Sequence, residues 1–231
     1  NFQFGFRKNR SSSSAATVLH EIVKTRLKQK KKTFACFVDF QKAFDKIDRS
    51  LLFAKLQSLS IPYRFCRVLF EIFNNTRIYI KAGDLISAPF KSSIGTPQGD
   101  PISPLLFSLF LNDIEESIPN IGPFLNGTRI SMIMYADDIC LLAETRDDLQ
   151  KMLHALDSYC STNKLQVNVA KTKIMIFHYG RCPSFTFTYN AQHIEVVKSF
   201  VYLGFTFTTQ LTFTPHLLSL ISKARVRIGQ L

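Results

Sequence analysis

Two adjacent carboxylates, Asp137 and Asp138, stand between two apolar runs of strand length. Ile130-Ser131-Met132-Ile133-Met134 precedes them and Ile139-Cys140-Leu141-Leu142-Ala143 follows. Short apolar runs bounded by turn residues read as strands, so the segment predicts a hairpin with the acidic pair at or near its turn. Neighbouring side chains on a strand point apart, so both carboxylates reach one site only if the turn re-aims one of them. Asp-Asp is also ordinary turn chemistry. The rest of the chain decides between the two readings.

At 231 residues the chain is one large domain or two small ones, with ample core. An apolar content of 46% against 20% charged residues excludes a disordered chain. The net charge of +12 calls for a polyanionic partner, and nucleic acid is favoured over an anionic membrane surface. Residues 1–33 hold nine Lys and Arg against Glu21 alone; the segment from Pro215 holds Lys223, Arg225 and Arg227 and no acid. The five Cys (36, 66, 140, 160, 182) and five His (20, 154, 178, 193, 216) show no ligand or disulfide spacing, which suggests a reducing compartment without structural zinc. No signal peptide is expected, and the run Pro104 to Leu111 is too short to span a bilayer. No membrane partner is expected, and the setting is intracellular, nucleus and/or cytoplasm. The first residue is not Met, which suggests a piece of something longer.

Taken in order, a Ser run at 11–14 caps a helix over about Ala15 to Gln29, with Val18, Leu19, Ile22, Val23 and Leu27 on its apolar side. Thr33 to Asp39 reads as a buried strand ending in a carboxylate, followed by a helix near Arg49 to Ser60. Asp39 is then either aimed into a site or the cap of that helix. Tyr63 to Asn75 predicts a helix with Phe65, Val68, Leu69, Ile72 and Phe73 as its core stripe. Arg77 to Lys81 and Ala88 to Lys91 form a hairpin through Gly83-Asp84. Ile94 to Pro101 is a loop whose Gly95 and Gly99 let the backbone approach a ligand, or a plain turn into the apolar helix Ile102 to Ile114. Asp147 to Thr162 is amphipathic, with Leu149, Met152, Leu153, Leu156 and Tyr159 on one side. A strand over Lys171 to Phe177, a hairpin through Asn190, a strand over Ser199 to Phe207 and a basic helix from Pro215 to Leu231 complete an α+β chain with a mixed or antiparallel sheet.

If the first strand lies beside the central hairpin, Asp39, Asp137 and Asp138 converge at one sheet end. Like charges that close raise one another's pKa. Hard divalent cations remove the repulsion, and oxygen ligands suit Mg²⁺. Two such ions stabilise the attacking and leaving oxygens of an in-line phosphoryl transfer. With the basic surface, this argues for a nucleotidyl transferase acting on nucleic acid.

The residues that carry this chemistry resemble the reverse transcriptase domain of non-LTR (LINE-type) retrotransposons and, more distantly, group II intron reverse transcriptases. Gln3-Phe4-Gly5-Phe6-Arg7 is similar to the family's segment joining fingers to palm, and Val38-Asp39-Phe40-Gln41-Lys42-Ala43-Phe44-Asp45 resembles motif A. Gly95-Thr96-Pro97-Gln98-Gly99-Asp100-Pro101-Ile102-Ser103-Pro104 resembles motif B, and Tyr135-Ala136-Asp137-Asp138 motif C. Asn168 with Lys171-Thr172 resembles motif D, and Tyr202-Leu203-Gly204 the primer grip. The segments fall in the family's order with compatible spacing, over nearly the whole chain.

The resemblance implies an RNA-directed DNA polymerase using two Mg²⁺ ions, with Mn²⁺ as a substitute, an RNA template, a DNA primer and dNTPs. Asp39, Asp137 and Asp138 are implied as catalytic metal carboxylates, Asp138 being the least direct. Phe40, Phe44, Gln98, Gly99 and Lys171 are implied at the nucleotide, with Phe44 under its sugar, where an apolar ring excludes a 2′-hydroxyl. Arg7, Tyr135, Tyr202, Leu203 and Gly204 are implied at template or primer. The implied fold is a right-hand polymerase palm, an antiparallel sheet backed by helices, with partial fingers and the start of a thumb. Its divisions are 1–32 partial fingers and fingers–palm connection, 33–210 palm with fingers-proximal helices at about 49–95, and 211–231 the start of a thumb. Other domains of a parent polyprotein are expected. Bland alternatives stand beside several roles: Phe44 as core, Lys171 as a solvated edge, Tyr202-Leu203 as sheet core. At the level of function, the alternative is a catalytically silent module of this fold that binds RNA. An RNA-templated RNA polymerase is disfavoured by Phe44.

Overall fold

A computed structural model describes residues 2–97, 99–212 and 214–228. Helix α1 (Ser12–Lys28) starts at Ser11, whose side chain accepts from the Ser14 N–H while the Ser14 side chain accepts from the Ser11 N–H. This reciprocal cap satisfies two backbone donors left over at a helix start. Strand β1 (Thr33–Val38) follows, buried along its whole length. A strand reads as a continuous apolar run when both faces of its sheet are covered, and that is the arrangement here. Phe34, Cys36 and Val38 pack in one core, Ala35 and Phe37 in another.

Helices α2 (Arg49–Ser58) and α3 (Tyr63–Asn75) lead to the short, exposed strands β2 (Lys81–Ala82) and β3 (Leu85–Ile86), which turn through Gly83 and Asp84. Then come α4 (Ser103–Phe110), α5 (Ile114–Ser117), β4 (Phe124–Leu125) and β5 (Thr128–Arg129). The central hairpin is β6 (Met132–Tyr135) and β7 (Asp138–Ala143), followed by α6 (Arg146–Thr162). The chain continues through β8 (Lys173–Phe177), β9 (Phe187–Tyr189), β10 (Gln192–Val197), β11 (Ser199–Tyr202), β12 (Phe205–Thr208) and α7 (Thr214–Ile228).

The main sheet has the order β6-β7-β1-β8-β10-β9. It is antiparallel except that β10 runs parallel to β8, so of the mixed and antiparallel sheets expected the chain forms a mixed, mainly antiparallel one. One face is covered by α2, α4 and α6, the other by α1 and the β11–β12 hairpin. The α6 stripe Leu149, Met152, Leu153, Leu156 and Tyr159 is buried as its periodicity predicts. Each fully buried large side chain contributes about 1.5–3 kcal/mol.

Three expectations are corrected. In α3 only Leu69 and Phe73 of the predicted stripe are buried, joined by Cys66; Phe65, Val68 and Ile72 face solvent. The helix carries two apolar stripes one residue apart, and helical period alone cannot say which meets α2. The strand expected over 199–207 is instead a hairpin. Leu203 (φ +49°) and Gly204 (φ +86°) both lie in the left-handed region, as a two-residue type I′ turn requires. The helix expected from 102 to 114 stops at Phe110. There Lys55 Nζ donates to the Phe110 carbonyl (2.9 Å) and to Asp113 Oδ1 (2.7 Å), placing a cation at the helix C-terminus. Among the described residues no helix is long and apolar enough to cross a membrane.

Candidate active site

Val38 of β1 pairs with Ile139 of β7, and Tyr135 of β6 pairs with Asp138 of β7. These registers bring Asp39, Asp137 and Asp138 to the same end of three adjacent strands. Asp138 opens β7, while Asp137 sits in the two-residue turn behind Ala136. Ala136 has a φ of +57°, a conformation that costs an L-residue roughly 1–2 kcal/mol. The hairpin is the predicted one.

Asp39 is held by its backbone. Its N–H donates to Thr172 Oγ1 (3.2 Å), and its carbonyl accepts from the Asn168 N–H (2.7 Å). Phe40 bridges Val167, and the Gln41 N–H donates to Gln166 O (2.8 Å). The segment 166–172 therefore grips the exit of β1 and carries Lys171 alongside. Asp39 does not cap the next helix: Asp48 does, its Oδ1 accepting from the Leu51 N–H (3.0 Å).

A cleft of about 580 Å³ opens at this sheet end. Asp39, Asp138, Lys171, Tyr202, Leu203 and Gly204 share its lining. Phe37, Val38, Ile139 and Phe200 form its apolar wall, with the Phe37 and Phe200 rings stacked at 4.5 Å. Asp138 is exposed to solvent and shares the cleft with that wall. Partial burial, then Asp137, then Asp39 push its pKa up to about 6. Asp137 is also raised, first by burial and further by Asp39, against a hydrogen bond from its own N–H that pulls the other way. Among the described residues, no Lys, Arg or His forms an ion pair with any of the three. Nor do three or more His, Cys, Asp or Glu close into a ready-made metal cage.

The other expected residues are spread around this centre. Phe44 is half-buried, its ring 4.8 Å from that of Phe107, and its carbonyl accepts from the Thr96 N–H (2.9 Å). That bond seats the 95–101 loop beside Phe44. Gly95 fits there because a side chain would strike the Asp45 backbone at 2.5 Å. Gly99 is exposed at φ +84° with open space beside it, and Gln98 lies outside the described residues. Phe40 is buried, Tyr135 half-buried with its ring 6.4 Å from that of Phe6, and Arg7 exposed. None of these lines the carboxylate cleft. Arg26, one of the amino-terminal cations, is buried in an ion pair with Glu144 (3.0 Å) and does not contribute to a solvated basic face.

Sequence reasoning missed three residues that position this site. Gln3 is buried against the turn at Ala136, and Thr172 accepts the Asp39 N–H. Arg49 is buried and donates to the carbonyls of Phe73, Ser92, Ile94 and Gly95. Gln3 and Thr172 stand in segments that carry the family resemblance but had been given no role; for Arg49 the signal is that a cation in the first turn of a helix opposes the macrodipole and so needs another purpose.

The chain matches the family model described as reverse transcriptase (RNA-dependent DNA polymerase) over residues 1–207. It belongs to the reverse transcriptase family. This reverse transcriptase domain is 29% identical over 237 residues to the probable RNA-directed DNA polymerase from transposon BS of Drosophila melanogaster, covering 99% of this chain and 26% of that protein. It is 29% identical over 241 residues to the RNA-directed DNA polymerase from mobile element jockey of Drosophila funebris, covering 100% and 25%. The domain thus spans about a quarter of the length of these curated relatives. Among solved structures it is similar to apo telomerase from Candida tropicalis truncated from its C-terminal domain. The TM-score is 0.62 at 14% identity, covering 89% of this chain and 40% of that one. At such identity the likeness speaks to fold, and the fold of this reverse transcriptase domain is an α+β polymerase palm.

Proposed function

We propose that this domain is the RNA-directed DNA polymerase of a non-LTR retrotransposon, a nucleotidyltransferase that extends a DNA primer with dNTPs on an RNA template. The observation that carries this reading is the shared cleft. Residues from four separate segments (Asp39, Asp138, Lys171 and 202–204) line one space, with Asp137 in electrostatic reach. Family membership supports it.

Asp39, Asp137 and Asp138 fit divalent cations, Mg²⁺ or Mn²⁺. They repel one another, and among the described residues none of them forms an ion pair with a Lys, Arg or His. Mg²⁺ characteristically binds through one or two carboxylates and completes its shell with water and substrate phosphates. When bound, two such ions lower the pKa of the attacking hydroxyl and neutralise the leaving pyrophosphate.

The remaining roles belong to the chain itself. Lys171, exposed on the cleft wall, offers a cation to the triphosphate. The tight β11–β12 turn, which lines the same cleft, holds the primer end. Phe44, braced by Phe107, lies under the sugar with Phe40 behind it, and the open side of Gly99 beside Gln98 lets the base pair approach. Arg7 and Tyr135 face template and primer. In this assignment residues 33–210 are palm, 1–32 partial fingers and the fingers–palm connection, and 211–231 the start of a thumb.

The test is primer extension by the full-length polypeptide on an RNA template. The expected result is extension by the wild type, none by Asp137→Ala, and equal primer-template binding by both. Binding without extension by the wild type would instead identify a silent RNA-binding module.

A further inference from the structure

The turn that carries Asp137 and Asp138 is strained at Ala136, and Ala136 is buried. A two-residue hairpin turn points its first backbone N–H away from the ladder, where a buried donor needs a partner. Gln3 supplies it. Its Oε1 accepts from the N–H of Ala136 (3.0 Å) and from that of Gly5 (2.8 Å), and its Nε2 lies 3.5 Å from the Ala136 carbonyl. The backbone around Gln3 is tied to the same hairpin: the Phe4 N–H donates to Met134 O (2.7 Å), and the Met134 N–H donates to Phe2 O (2.9 Å). Residues 2–4 thus form a short parallel addition to the free edge of β6, with Gln3 and Met134 bridged. Gly5 completes the contact, because a Cβ there would lie 2.4 Å from the Ala136 nitrogen.

We propose that Gln3 is a positioning residue for the Asp137–Asp138 pair, its carboxamide standing in for a neighbouring strand and holding the turn in its left-handed conformation, with Gly5 as the clearance that lets it do so. The inference rests on the polymerase reading for its kinetic consequence only. Gln3 touches no reacting atom. Its effect passes through the Ala136 peptide, one residue from Asp137. A turn free to relax would let the two carboxylates move apart, since neighbours on a strand diverge by default.

The test compares wild type, Gln3→Met, Gln3→Glu and Gly5→Ala in the full-length polypeptide. Amide exchange is read at Ala136 and along 139–143, Mn²⁺ binding by paramagnetic broadening, and dNTP incorporation by kcat and KM. Gln3→Met should speed exchange at Ala136 about tenfold or more while leaving 139–143 unchanged. It should weaken Mn²⁺ binding several-fold and lower kcat about tenfold with KM for dNTP nearly constant. Gln3→Glu keeps an accepting oxygen and should restore protection at Ala136; Gly5→Ala should reproduce the Gln3→Met pattern. Native exchange at Ala136 in Gln3→Met overturns the proposal. So does acceleration spread evenly through β6 and β7 with a matching fall in Tm, the mark of a merely structural role. If the wild type itself fails to extend primers, the polymerase reading falls, and exchange and Mn²⁺ binding still judge the brace.

Discussion

Val38 and Ile139 are register partners on adjacent antiparallel strands, so Asp39, which follows one, and Asp138, which precedes the other, leave the sheet at the same edge. No residue between 39 and 138 is needed to explain their meeting; the ladder alone brings it about. Burial first, and then the charge this concentrates at one edge, raises the pKa values of Asp137 and Asp138.

That crowding makes stability and activity pull in opposite directions. Asp39→Asn should lower primer extension on the order of 10²–10³-fold or more. In the absence of divalent cations it should leave Tm unchanged or higher, because a repulsive charge is gone. Paired extension assays and thermal melts in chelator check both halves. A variant that loses activity and Tm together would show that Asp39 braces the fold instead.

The pH dependence follows from Asp138. Its pKa in the fold is raised to about 6, so between the ordinary carboxylate range and about 6 the folded protein keeps a proton that the unfolded chain has released. Stability from this group is therefore greatest at low pH, falls as pH rises through that window and is level above it. Asp138→Asn cannot ionise and should flatten the metal-free Tm profile there. Carboxyl NMR should follow the same titration near pH 6 and find it moved lower when Mg²⁺ is added, since a bound cation favours the charged form.

Phe44 is expected to govern sugar choice. Phe44→Val should raise ribonucleotide incorporation relative to deoxyribonucleotide, measured as the ratio of kcat/KM values. Its ring is half-buried against Phe107, so the same change should cost about 1–3 kcal/mol of stability. An unaltered sugar ratio with the stability loss intact would make Phe44 a core residue only.

Arg49 fastens the loop before Gly99 from below, with donated bonds of 2.8 Å to Gly95 O and 2.7 Å to Ser92 O. Arg49→Met leaves those carbonyls without their donor and should cost about 2–4 kcal/mol in denaturant unfolding. Because the same loop is seated on Phe44 through Thr96, KM for dNTP should rise as well.

The two stripes of α3 give a sharp contrast. Phe73, 1% exposed, should cost about 3–5 kcal/mol as Phe73→Ala. Val68, 58% exposed, should change stability by no more than about 0.5 kcal/mol as Val68→Ser. Equal losses at the two positions, read in parallel unfolding curves, would place both stripes in the core.

Local patterns reached far in this chain. The apolar runs around Asp137-Asp138 specified a hairpin because its strands need only alternation and length. The Ser run specified a helix start because a side-chain oxygen there satisfies a bare N–H, and the α6 stripe specified a buried face. The acidic pair drew notice because adjacent carboxylates between apolar runs are unusual, whereas the role expected of Phe44 came only from the family resemblance. Long-range packing decided the rest. Which α3 stripe turned inward depended on the position of α2, and the end of α4 on a lysine from another helix. Leu203 adopted a left-handed turn that its own side chain does not favour. The parallel entry of β10, and Gln3 reaching the Ala136 peptide, depend on contacts between residues far apart in the chain. A sequence states what each residue prefers locally. Partners separated by a hundred or more positions, such as Gln3 and Ala136, are joined only when the whole sheet has formed.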